Sequence, residues 1–201
     1  MALIIFLIIL AIVVVGGVAF AMVAINNSVV NARNKVDEAW AQISVQLKRR
    51  HDLIPNLVSA VKGYASHEQT TLDNVIKARN AALGTESDPH AAAQAENQLS
   101  GALKGLFALS ESYPDLKASQ NFAQLQKDLV DTEDRIAFSR QYYNDVVRQW
   151  NTKIETIPYR SVARRMGAHR REYFQVEDFE SARYQQAISD GEESKPPEIG
   201  F

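Results

Sequence analysis

Residues 26–65 read NNSVVNARNKVDEAWAQISVQLKRRHDLIPNLVSAVKGYA. Val29, Val36, Ile43, Arg50, Leu57 and Tyr64 recur every seven residues. Arg33, Trp40, Leu47, Ile54 and Val61 form a second series at the same spacing. Together they place an apolar seam along one side of a long helix, interrupted only by Arg33 and Arg50. Pro55 removes one helical donor, so it should bend the helix near His51 and Asp52 rather than end it.

Upstream, residues 2–25 (ALIIFLIILAIVVVGGVAFAMVAI) carry no charged or polar side chain. As a helix they extend ~36 Å, enough to cross a hydrocarbon core of roughly 30 Å. A signal peptide is the rival reading, because Ala19-Phe20-Ala21 resembles a cleavage site. Against it, no Lys or Arg precedes the run and the run is long. A retained transmembrane helix over 1–25 is therefore expected. Gly17, Ala21, Ala24, Ser28 and Ala32 lie on one face of it, a small-residue stripe suited to close packing against another copy. Ordinary lipid-facing Gly and Ala is the alternative. Arg33, Lys35, Lys48, Arg49 and Arg50 follow the run, and positive-inside counting favours a cytoplasmic body.

Downstream, every pattern is helical. Ser66-His67-Glu68-Gln69 has capping-box form, opening a helix over 67–83 that carries Leu72, Val75, Ile76, Arg79 and Leu83. Asp88-Pro89 supplies an N-cap and a proline at the first helical position of a helix over 89–113. Pro114-Asp115 opens a fourth helix, 115–157, with no Gly or Pro inside it. Its seam runs through Phe122, Leu129, Ile136, Tyr143, Trp150 and Ile157. The fold class is all-α: a membrane helix continuing into an antiparallel up-down four-helix bundle over 26–158. Long helices 27–65 and 115–157 reach the membrane, and the short pair sits at the far end.

After the bundle, residues 159–176 are basic and should emerge beside the membrane. Arg160, Arg164, Arg165, Arg170 and Arg171 occur without an acid between Tyr159 and Arg171. Contact with anionic lipid would attract each by about 1 kcal/mol. A solvated or protein-contacting loop is the alternative. The overall charge of −2 argues against broad nucleic-acid binding. From Glu177 the composition turns polar, and 177–201 reads as a flexible tail.

Catalytic chemistry finds little footing. Cysteine is absent, which excludes disulfides, thiolate zinc sites and a cysteine nucleophile. His51, His67, His90 and His169 share no i,i+4 pairing, and Gly101 and Gly105 are too sparse for a phosphate loop. Asp128, Asp131, Glu133 and Asp134 lack the Glu-x-x-His pairs of a di-iron bundle. No catalytic residue, cofactor or metal is expected.

Several stretches resemble the LemA family of bacterial proteins. They are RNKVDEAW from Arg33, QLKRRHDLIPNLV from Gln46, VKGYASHE from Val61, YPDLKASQNFAQLQ from Tyr113, DTEDRI from Asp131 and YNDVVRQWNTKIETIP from Tyr143. The resemblance covers 26–175 and implies a membrane-anchored four-helix bundle without an established catalytic activity. Some relatives look like lipoproteins, but this chain lacks the lipobox cysteine. Relatives also tend to carry an apolar loop after the position of Pro158, where this chain has YRSVARRMGAHRREYF. The expected function is a single-pass scaffold or adaptor of the bacterial cytoplasmic membrane, self-associating and in contact with lipid. The alternative is an accessory subunit of a membrane enzyme such as a protease.

The arginines of the seam need partners, because burying an unpaired charge costs several kcal/mol. Placing Ala65 level with Asp115 makes residue n on the first helix face about residue 180 − n on the fourth. Arg50 then pairs with Asp131 or Asp134, and Arg33 with Asp145. Snorkelling of both arginines to solvent is the alternative.

Overall fold

The protein is described by a computed structural model over residues 1–85 and 88–175. The expected tail, 177–201, and the turn residues Glu86 and Ser87 lie outside the described residues. Six helices and no strand occur among the described residues: α1 (Ala2–Lys62), α2 (Gln69–Leu83), α3 (Pro89–Ser110), α4 (Pro114–Lys117), α5 (Gln120–Glu155) and α6 (Tyr159–Arg165).

The 61 residues of α1 run without a break from the apolar segment through the heptad. Nothing between Ile25 and Asn26 stops a helix, so the apolar segment and the seam form one continuous helix. An 18-residue window near its start is long and apolar enough to cross a membrane. Pro55 lies inside the helix, as expected. The carbonyl it leaves without a helical donor is that of His51. Arg79 of α2 fills the gap, its Nε donating to His51 O at 2.8 Å. The proline thus creates a docking point for the next helix. Gly63 follows the last residue of α1, and Tyr64, beyond it, is exposed rather than in the seam.

The other termini are mixed. Asp88 caps α3, accepting from the backbone of His90 and Ala91, with Pro89 at the first position. The capping box at Ser66 does not form. Helix α2 begins at Gln69 after Glu68, which makes no side-chain cap bond. The expected helix 115–157 is divided: α4 is a single turn, Ser119 is extended at φ −67, ψ 119, and α5 starts at Gln120. It ends at Glu155, before a cis Ile157–Pro158 bond. Ile157 is 87% exposed and does not belong to the seam.

Residue numbers fall along α5 as they rise along α1. Lys153 Nζ donates to Ser28 O at 3.2 Å, the rings of Trp40 and Tyr143 lie 5.4 Å apart, and Arg50 meets Glu133. Two apolar cores result. The first gathers Val29, Val36, Ile43 and Leu47 of α1 with Ile136, Tyr143, Val147 and Trp150 of α5. The second gathers Ile54, Leu57 and Val61 with Val75 of α2, Leu99 and Leu106 of α3, Leu116 of α4 and Phe122 of α5. Each fully buried aliphatic side chain contributes about 1.5–3 kcal/mol.

Candidate functional site

Between the two cores lies a charged layer. Arg50 is 2% exposed and His51 is fully buried. The carboxylate of Glu96, on α3, bridges them. Its Oε2 is 2.7 Å from Arg50 Nη2 and its Oε1 is 2.7 Å from His51 Nε2. A carboxylate accepts, so His51 Nε2 is the donor. Arg50 also donates to Glu133, the Glu96 carbonyl and Ser100 Oγ. Arg50 Nε and His51 Nδ1 have no hydrogen-bond partner among the described residues.

This corrects the expected pairings. Asp131 and Asp134 are exposed, while Glu133 between them is the residue on the Arg50 side. The offset arithmetic found the right turn of α5, but could not select the face or include α3. Arg33 is also not held by Asp145. It lies 4.0 Å from Asp37 on its own helix, both side chains being more than half exposed, and Asp145 pairs with Arg148. Arg33 instead borders an open cleft with Val29, Trp150 and the chain from Met166 to Arg171.

The second feature is the segment after α5. Ser28, whose carbonyl holds Lys153, is three residues beyond Ile25, ~4.5 Å of helix rise. The end of α5 and all of α6 therefore stand at the level where α1 leaves its apolar run. Lys153 Nζ also sits 5.2 Å from the centre of the Tyr159 ring, which positions α6. Gly167, at φ +63, ends α6 in the left-handed conformation, and Ala168 N donates back to Ala163 O. That reversal sends the chain back along α5.

From His169 to Phe174 the backbone is strapped to α5 by two neighbouring pairs of side chains about two turns apart. Trp150 Nε1 donates to His169 O at 3.0 Å. Asn151 donates to Arg171 O and accepts from Arg171 N; Asn144 does the same to Phe174. The two asparagines are seven residues apart and so share a face. Phe174 is fully buried and meets Trp40 edge-on at 5.6 Å. Tyr143 Oη donates to Glu172 O at 3.0 Å. Burial, opposed by Arg171 and reinforced by Asp37 and Glu172, pushes its hydroxyl up to about 12 and keeps it a donor.

The strap sorts the five arginines. Arg171 pairs with Asp37 at 3.0 Å and Arg170 with Glu155 at 2.8 Å. Arg160, Arg164 and Arg165 are exposed and make no ion pair among the described residues. Arg160, Arg164, Arg170 and His169 line a cleft of about 340 Å³ with Glu155. Sequence reasoning singled out the arginines but missed Glu96, Asn144 and Asn151, which read as ordinary polar helix residues. The seven-residue asparagine spacing was the available signal. Gly17, Ala21 and Ala24 are exposed on α1, and Ser28 is partly buried. Among the described residues no group of three or more His, Asp or Glu side chains is placed to hold a metal ion.

Comparison with known proteins gives a consistent picture. The model of the LemA family matches residues 39–188. The chain is 26% identical to Protein LemA of Metamycoplasma hominis over 175 residues, covering 87% of this chain and 80% of that protein. Magnetosome protein MamQ 2 of Paramagnetospirillum magneticum is 25% identical over 174 residues, covering 74% of this chain and 64% of its own length. Magnetosome protein MamQ of Magnetospirillum gryphiswaldense is 25% identical over 159 residues, covering 67% and 58%. The chain thus spans less than two thirds of the two MamQ proteins.

Proposed function

The chain belongs to the LemA family, and from that membership we propose a membrane-anchored, non-enzymatic scaffold. In this reading α1 crosses the bacterial cytoplasmic membrane once. Its continuation packs with α2, α3 and α5 as an antiparallel up-down bundle, and positive-inside bias favours the cytoplasmic side. The basic end rests on anionic headgroups, and copies associate in the membrane.

One observation carries this reading. Three exposed arginines, without an ion pair among the described residues, project from a helix fixed at the level where α1 leaves its apolar run. Charges at that height lie within a Debye length of a headgroup layer, about 8 Å at physiological salt. Arg170 and Arg171, each already facing an acid, contribute less. The strap matters because it holds α6 against α1 and α5, so the arginines act from a rigid edge.

Residues 26–201, first checked for helicity, should bind vesicles containing anionic lipid more tightly than neutral ones, and salt should weaken the binding. Changing Arg160, Arg164 and Arg165 together to Gln should abolish most of the preference. Arg171→Gln should leave most of it. Equal binding to both vesicle types would overturn the lipid contact.

A further inference from the structure

In the half away from the membrane, α1 is enclosed by α2, α3 and α5. Helix α2 reaches back to Arg79 against His51, and α3 to Ala92 and Ala93 in the first core. Nearer the membrane only α1 and α5 continue as long helices, and α6 with the strap covers one side of that pair. Phe138 lies six residues from Asn144, about 120° round α5 from the strap. There Phe138 is 76% exposed and Val45 is 63% exposed. Both line one cleft between α1 and α5, of about 710 Å³, with Gln46, Asp131, Asp134 and Arg135. A second cleft between the same helices, of about 510 Å³, includes Ser28, Ala32, Lys35 and Glu38.

We propose that this open α1–α5 face is covered by a second copy of the chain, whose own α1 and α5 complete a four-helix layer. The proposal rests on the self-associating scaffold reading and names its surface. Three observations select a second copy. First, the face continues into the anchor: Gly17, Ala21 and Ala24 stand within about 40° of Ser28 on the helix, so one helical face runs from apolar segment to cleft. Second, two copies anchored in the same sense are related by an axis along the membrane normal, so each level meets itself. Phe138 and Val45 then meet their counterparts, which removes both from water. Third, each level carries both signs. Asp131 lies one turn from Arg135 and Asp134 directly beside it, and Lys35 lies one turn from Glu38, so the surface is complementary to itself. Gln46 Oε1 is buried at this cleft without a hydrogen-bond partner among the described residues.

The chain has no cysteine, so single cysteines report on this face directly. Full-length Val45→Cys, Phe138→Cys, Ala137→Cys and Gly17→Cys would be oxidised in membranes and run without reductant. Ala137 is exposed and turned toward the strap side of α5. Val45→Cys and Phe138→Cys should give a disulfide-linked dimer in several-fold greater yield than Ala137→Cys. Equal yields at Ala137 and Phe138, or a disulfide to a protein of another mass, would overturn the proposal. Dimer at Gly17→Cys with none at Val45 or Phe138 would overturn this face while leaving self-association intact. No dimer at any position, with a monomeric mass in nanodiscs, would overturn both. Phe138→Arg, which needs no cross-link, should shift the native size distribution toward monomer. An unchanged distribution would count against the proposal.

Discussion

The two halves of the body solve the same packing problem with different means. The distal half has four helices around Leu57, Leu99, Leu106 and Phe122, so ordinary aliphatic seams close it. The half nearer the apolar run has two long helices, with the short α6 closing its end. A pair of helices cannot enclose a core, and here the missing wall comes from α6 and the non-helical segment that follows it. That wall brings an aromatic cluster of Trp40, Tyr143 and Phe174 and borrows α5 asparagines to satisfy its backbone. A short strap covers one side only, which is why Phe138 and Val45 remain in water. Side-chain chemistry follows from helix count: the fewer the walls, the more polar bonds each must supply.

The layer between the halves gives the largest test. Glu96→Ala removes the carboxylate that faces both Arg50 and His51 and leaves the buried guanidinium with the half-exposed Glu133 as its one counter-charge among the described residues. The expected loss is about 3–5 kcal/mol, read as a lower unfolding midpoint. If the layer chiefly fixes how α3 meets α1, replacing all three by apolar residues (Arg50→Met, His51→Leu, Glu96→Leu) should recover most of it. A Glu96→Ala protein as stable as the parent would mean that the layer is hydrated and the two cores are independent.

Next is the strap. Asn144→Ala and Asn151→Ala each leave a backbone N–H and C=O unsatisfied at a partly buried site. A cost of about 1–3 kcal/mol is expected for each. The effect should be local. Hydrogen exchange should rise in α6 and residues 168–174, while α2 and α3 keep their protection. Uniform loss of protection would show that the halves unfold as one, and would erase the distinction drawn between them.

The sequence conveyed the elements better than their joins. The unbroken α1, the Asp88-Pro89 start of α3 and most of the α5 seam follow from periodicity and local turn chemistry. Ser66 failed as a cap, and Pro114 opened one turn rather than a long helix, because those ends answer to packing. Leu116 is fully buried, and α4 is shaped around it. The functional residues split likewise. Basic clustering exposes Arg160–Arg165 in any linear reading. The partner of Arg50 sits on α3, 46 residues away, and no pattern within α1 or α5 names it.

The smallest effect is the most diagnostic of what a heptad position means. Arg33 and Arg50 interrupt the same seam of α1, seventeen residues apart. By spacing alone they are equivalents, and one argument about buried charge covers both. The structure separates them by their surroundings. At Arg50 the seam is walled by α3 and α5, so the guanidinium is dry and takes its partners from both helices. At Arg33 neither α2 nor α3 is present. The side chain is 58% exposed, and Asp37 at 4.0 Å is equally wet. An exposed i,i+4 pair of this length contributes about 0.5 kcal/mol or less, and salt screens it. Arg33→Met should therefore change the unfolding midpoint by no more than that, and the difference should vanish at high salt. Arg50→Met should cost several-fold more and be insensitive to salt. A large, salt-independent loss at Arg33 would mean that a further surface closes over it in the membrane, and that the proximal half is walled after all.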